Sequence, residues 1–159
     1  MQKVIKILKS FDLFSALHRD ELKKIADISE EVSFGRGEVI VKENMPAGSL
    51  FILKDGCVKI TKDGKLIVML GKGNPIGELS FIDNGLPSAT ATAEEDSVLI
   101  KIPSRAFYKM MKQDKDIAGK VYRSIALSLC QKLRDTNEWL FTKEWLADIE
   151  KEAVSRRLV

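Results

Sequence analysis

Two short segments carry the residue types best suited to recognition chemistry. Gly77-Glu78-Leu79-Ser80-Phe81 sets a glycine and a carboxylate at the start of a short apolar stretch, and Pro87-Ser88-Ala89-Thr90-Ala91 follows it. Glu78 to about Ile82 is predicted as a short helix. Backbone N–H groups at the start of a helix lack intrahelical partners, and the aligned peptide dipoles favour an anion there. Gly77 has no Cβ, so backbone can come close to a bound group. The hydroxyl of Ser88 can donate or accept. Read without any ligand, Glu78 is a carboxylate that caps its own helix.

Other chemistries find little material. His18 is the single histidine and sits in a polar stretch, so neither a histidine-based metal site nor a Ser/His/Asp triad is expected. Cys57 and Cys130 fall in different predicted elements and read as buried free thiols of a reducing cytoplasm rather than a bridge. Two cysteines are also too few for an iron–sulfur cluster. With no nucleophile–base pair and no metal cluster in view, the sequence predicts no catalysis, no metal and no resident cofactor.

Composition sets the outer bounds. The 159 residues suffice for one domain with a single core. Hydrophobic residues make up 45% and charged residues 31%, ordinary for a globular chain. The net charge is +3, and Lys and Arg are interleaved with Asp and Glu, which predicts a solvated mixed surface rather than a nucleic-acid face. No apolar run reaches the ~18 residues of a membrane span. Residues 1–10 alternate Lys with apolar residues and lack the apolar core of a secretory signal, so a cytoplasmic protein without membrane contact is expected.

The elements that must position the two segments follow from periodicity. Met1 to Ser10 reads as a short amphipathic helix with Val4, Ile5 and Leu8 on one face. Leu13 to Leu17 reads as a helical turn docked on the core, and Asp20 to Ile28 as a second short helix. Short apolar runs then recur at 39–41, 50–53, 58–60, 66–70, 89–93 and 98–100, a spacing that implies a small antiparallel sandwich or barrel. Asp55-Gly56 and Asp63-Gly64 read as hairpin turns. From Ser104, read as a helix cap, the pattern is helical. A long helix begins near Asp116 and steps through Val121, Ile125, Leu129 and Leu133. Trp139, Leu140, Phe141, Trp145, Leu146 and Ile149 crowd its far half, an apolar surface that predicts a homodimer through this helix. The competing reading breaks the helix near Thr142 and folds it back. The predicted divisions are a helical segment over 1–30, a β-roll over 31–103 and C-terminal helices over 104–159.

Five local motifs in this order resemble the cyclic-nucleotide-binding domain family, the sensor module of catabolite activator protein and of protein kinase A regulatory subunits. They are Leu13 to Leu17, Gly37 to Ile40, Leu50 to Val58, Gly73 to Ser80, and the segment around Ser88. The resemblance implies an α+β fold: an antiparallel eight-strand, jelly-roll-like β-roll with short N-terminal helices and a long C-terminal helix. It implies that Gly77, Glu78, Leu79, Ser80, Ser88, Ala89 and Thr90 form a phosphate-binding cassette. In that reading Glu78 accepts from the ribose 2′-hydroxyl, while Ser88 and the N–H of Ala89 touch phosphate oxygens. Thr90 can bond a guanine edge. Ile67 and Val68 line the base pocket, and Thr136 and Asn137 fall where the family's base-contacting pair lies. The implied ligand is cAMP, cGMP or another small anion.

One residue departs from the family pattern. Pro87 occupies the slot of the arginine that pairs with the cyclic phosphate, and no Lys or Arg lies between Gly73 and Ile100. Proline brings neither charge nor donor. Two functions therefore compete: a ligand sensor that moves its C-terminal helix, and a degenerate module that orients a dimerising helix and binds no nucleotide. A transcription factor would need a winged helix–turn–helix beyond the long helix, and about 20 residues after Asn137 are too few for one, so no direct DNA binding by this chain is expected; a fragment of a longer regulator is a further alternative.

Overall fold

The computed structural model describes residues 2–157, with side chains described at all of these except 3, 144 and 147–157. The chain divides into two compact units, one up to Ser124 and one from Ile125 onward.

The first unit opens with α1 (Gln2–Lys9), a 3-10 turn (Asp12–Phe14) and α2 (Arg19–Asp27). Leu8, Phe11, Leu13, Phe14, Leu17, Leu22 and Ile25 are all buried, so the apolar face predicted for each piece is the face it uses. The Lys9 ammonium crosses from α1 to donate to the carbonyls of Ser15 and Leu17, both at 2.7 Å, and fixes the turn between the two helices.

Eight strands follow in two four-stranded antiparallel sheets. They are β1 (Glu30–Phe34), β2 (Val39–Val41), β3 (Ser49–Asp55), β4 (Val58–Lys62), β5 (Lys65–Leu70), β6 (Pro75–Ile76), β7 (Thr90–Ala93) and β8 (Ser97–Pro103). One sheet has the order β1-β8-β3-β6, the other β2-β7-β4-β5. The core lies between them, with Phe51, Leu53, Ile76 and Leu99 from the first sheet facing Val41, Val58 and Ala91 from the second. Burying each of these larger side chains stabilises the fold by about 1.5–3 kcal/mol. β3 reads as an unbroken apolar run because helices α3 (Glu78–Asp83) and α4 (Ser104–Gln113) cover its other face. This is the α+β, eight-strand roll that the resemblance implies.

One turn reading holds and two other readings need correction. Asp63-Gly64 is a two-residue hairpin, with both residues at positive φ (49° and 75°) as a type I′ turn requires. Asp55-Gly56 is not a hairpin: β3 and β4 belong to different sheets, and this turn carries the chain from one to the other. Ser104 does not cap α4. Pro103 holds the cap position with an extended backbone and no side-chain bond, and the Ser104 N–H donates to the Gly48 carbonyl at 3.0 Å. A genuine cap stands one helix later. Asp114 accepts the Ile117 N–H at 3.2 Å at the start of α5 (Lys115–Arg157), and the Lys24 ammonium at 2.7 Å together with that N–H holds its carboxyl below the usual range.

Helix α5 spans Lys115–Arg157. It passes Thr142 unbroken, and the Thr142 hydroxyl donates to the Glu138 carbonyl at 2.9 Å. In the first unit Ile117 and Val121 are buried. In the second, exposure rises to 62% at Leu133, and Trp139, Leu140, Phe141, Trp145 and Leu146 are all exposed; the Ile149 side chain lies outside the described residues. Among the described residues no helix is long and apolar enough to cross a membrane.

Candidate functional site

The segment from β6 to β7 leaves the edge of one sheet and returns in the other, so it spans the gap between them. Its first half is α3, close to the predicted Glu78–Ile82. Gly77 stands before it at φ 86°, a conformation that L side chains rarely adopt, and a Cβ there would sit 3.3 Å from the Ser49 carbonyl oxygen. Glycine at position 77 lets the chain turn into α3 without that strain. Glu78 is 6% exposed, an unusual place for a carboxylate, and Phe81 is buried beside it. Leu79 is exposed and Ser80 half-buried.

The second half is the turn into β7, tied down by groups from two other loops. The Pro87 ring is buried, and its carbonyl accepts the Asn44 N–H at 2.9 Å. Ser88 is exposed, and its carbonyl accepts from the Lys62 ammonium at 3.2 Å. Ala89 is half-buried. Thr90 lies on the opposite pleat face from buried Ala91, and its hydroxyl oxygen accepts the Glu43 N–H at 3.0 Å. Glu43 in turn faces Lys62 at 3.6 Å and accepts the Asp63 N–H at 3.3 Å. Sequence reasoning missed Lys62 and Glu43, since the bonds that join them to the cassette cross 26 and 47 positions.

Ile67 and Val68 lie on β5, an edge strand, where they are 57% and 44% exposed. Val68 pairs with Ile60 and so shares its inward face, while Ile67 is the extra residue where the register shifts between Ile60 and Thr61. Both are large apolar side chains left open to solvent on this edge strand. Thr136 and Asn137 lie in the second unit, exposed on α5, and the Thr136 hydroxyl donates back to the Lys132 carbonyl at 2.8 Å.

Phe81 also links α3 to α4. Its ring stacks on Phe107 at 5.1 Å and on Tyr108 at 4.6 Å, and Phe107 meets Phe14 edge-on at 6.3 Å. The Tyr108 hydroxyl is enclosed and, among the described residues, has no hydrogen-bond partner. Burial, with Tyr122 and Asp83 adding to it, pushes its pKa above the ordinary phenol value. An open hollow of about 750 Å³ borders Tyr108, Asn84, Arg105 and Lys109 but includes none of the predicted site residues. The cassette is the better candidate because its glycine relieves backbone strain and its carboxylate is buried at a helix start.

Comparison with known proteins agrees with this fold. A sequence model described as the cyclic nucleotide-binding domain matches residues 31–114, more than half of the chain. A solved structure from Geobacter metallireducens, described as a cyclic nucleotide-binding protein, superposes with a TM-score of 0.74 at 26% identity, covering 80% of this chain and 96% of that one. A structure of cAMP bound PfPKA-R gives a TM-score of 0.65 at 26% identity over 82% of this chain and 46% of that one. The human cGMP-dependent protein kinase 2 is 34% identical over 104 residues, 62% of this chain and 14% of the kinase. The chain spans 8% to 14% of the length of the cGMP-dependent kinases it matches. With its two-sheet roll and this match over more than half of its length, the chain belongs to the cyclic nucleotide-binding domain family.

Proposed function

We propose that this chain is a sensor module in which a cyclic nucleotide, cAMP or cGMP, occupies the cassette and its occupancy moves the C-terminal helices. The observation that carries the reading is Glu78, a carboxylate 6% exposed at the first position of α3 behind a glycine that no other residue can replace without strain. A ribose hydroxyl is a fitting donor for it, and the α3 N–H groups suit the phosphate. Relatives named for cGMP and bound to cAMP support the ligand class. The Phe81–Tyr108 stack supports the coupling, because α3 cannot shift without disturbing α4. A ligand moves such an equilibrium only by its differential affinity for the two arrangements. Replacing Glu78 by Gln is expected to weaken cyclic-nucleotide binding by about 10-fold, the value of one charge-assisted hydrogen bond. Calorimetric titration checks this, with thermal melting to confirm the fold. Unchanged affinity in a folded variant removes Glu78 from the site.

The output is proposed to be a homodimer through α5, supported by the exposed Trp139, Leu140, Phe141, Trp145 and Leu146. Light scattering is expected to give twice the chain mass for the full chain and the monomer mass after truncation at Asn137. A monomeric full chain contradicts the dimer. Pro87, buried and without charge, favours a second reading, a module that pairs through α5 and binds no nucleotide. Under that reading Glu78→Ala leaves self-association unchanged and no titration gives heat.

A further inference from the structure

The unsolved problem of this cassette is charge. A cyclic phosphate carries one negative charge, Pro87 offers nothing to it, and the segment from Gly73 to Ile100 contains no Lys or Arg. The fold brings a cation in from β4. Ile60 pairs with Ala91 and Thr61 with Thr90, so Lys62 falls on the same pleat face as Val58 and Ile60, the face turned to the core. At the end of the strand this face opens, and Lys62 is 53% exposed there. Its ammonium stands 3.2 Å from the carbonyl of Ser88, the residue directly after Pro87.

The ammonium is also only loosely held. Among the described residues its one ion-pair partner is Glu43, at 3.6 Å. Glu43 is fixed independently through its N–H to Thr90 and through its carboxylate to the Asp63 N–H. An ammonium has three donors, and two such partners leave capacity for a third acceptor. Resting on the proposed function, we propose that Lys62 is the phosphate cation of this cassette, with Glu43 as its counter-ion when no ligand is bound. On binding, the ammonium keeps the Ser88 carbonyl and exchanges Glu43 for a phosphate oxygen. A lysine supplies a point charge rather than a two-pronged contact, so it holds the phosphate less tightly and with less geometric demand than arginine.

The test is calorimetric titration of the unmodified chain, Lys62→Met, Glu43→Gln, Pro87→Arg and the Lys62→Met/Pro87→Arg double variant. The probes are cAMP and cGMP, with adenosine and guanosine as controls lacking phosphate, and melting curves verify folding. Lys62→Met is expected to weaken the cyclic nucleotides about 10-fold and leave the nucleosides unchanged. Glu43→Gln is expected to tighten the cyclic nucleotides by several-fold, because the competing carboxylate is gone. The double variant is expected to bind at least as well as the unmodified chain. Lys62→Met binding the cyclic nucleotides as tightly as the unmodified chain overturns the role of Lys62 and leaves the sensor reading standing. Binding by Pro87→Arg but not by the unmodified chain has the same meaning, since Lys62 then fails to supply the charge. Binding by neither overturns both.

Discussion

Replacing Pro87 with arginine is expected to tighten cyclic-nucleotide binding by about 10- to 100-fold. A charge-assisted arginine–phosphate contact is worth roughly 1.5–3 kcal/mol, and each 1.4 kcal/mol is a factor of ten. The local backbone accepts the change. Proline has no N–H, so no backbone donor is lost, and the Asn44 N–H bond to the residue 87 carbonyl is made by backbone that arginine also possesses. Removing proline frees the unfolded chain and lowers ligand-free stability by about 0.4–1 kcal/mol. The two effects separate in one melting series. Without nucleotide the variant melts slightly below the unmodified chain, and with nucleotide in excess it melts above it, because binding to the folded state alone raises stability with ligand concentration. An arginine variant with unaltered affinity contradicts the assignment of position 87 to the phosphate slot.

Gly56→Ala is expected to be the most destabilising small substitution in the roll. Gly56 has φ 97°, and a Cβ there would meet the Ser97 Oγ and lie 2.8 Å from the Ser97 Cα and Cβ. Positive φ costs an L residue about 1–2 kcal/mol, and forcing atoms into a packed site about 1–3 kcal/mol more. Ser97 cannot yield cheaply. It is 2% exposed, and its hydroxyl oxygen accepts the Cys57 N–H at 3.2 Å and lies 2.8 Å from the Glu95 carbonyl. Pushing it aside strands buried polar groups. The two terms together come to about 2–5 kcal/mol, a fall in Tm of about 5 °C or more. Gly64→Ala is the control: φ is also positive, at 75°, but nothing lies within 4 Å of its Cβ, so only about 1–2 kcal/mol is at stake. Equal losses for the two variants contradict the steric account of the β3–β4 crossing.

Gly56 also shows how far the sequence could be read. Asp55-Gly56 and Asp63-Gly64 look alike as dipeptides, and positive φ is right at both glycines. What differs is the partner of the next strand, a long-range fact that no dipeptide carries. The central strands were legible because burial makes them apolar, as at Leu50 to Leu53. β1 and β6 were not. Both are edge strands, one with a half-exposed Glu-Glu-Val-Ser-Phe sequence and the other only Pro75-Ile76, where proline is tolerated because the edge needs no donor. The cassette helix was legible to within one residue because Gly77 marks its start, while the Phe81–Tyr108 stack that joins it to α4 was not, since stacked rings leave no periodic signal between distant segments. Lys62 and Glu43 were invisible for the same reason that Pro87 was conspicuous. A missing charge is visible in the local sequence, but the residue that replaces it is supplied by strand register.

The measurement that tests the central claim most directly is calorimetric titration of the unmodified chain with cAMP and cGMP into the millimolar range, with Pro87→Arg titrated alongside. The account predicts saturable binding of at least one of the two nucleotides at one site per chain, tightened in the arginine variant. Absence of heat and of any melting shift for both proteins contradicts it, and leaves the roll as a scaffold for α5.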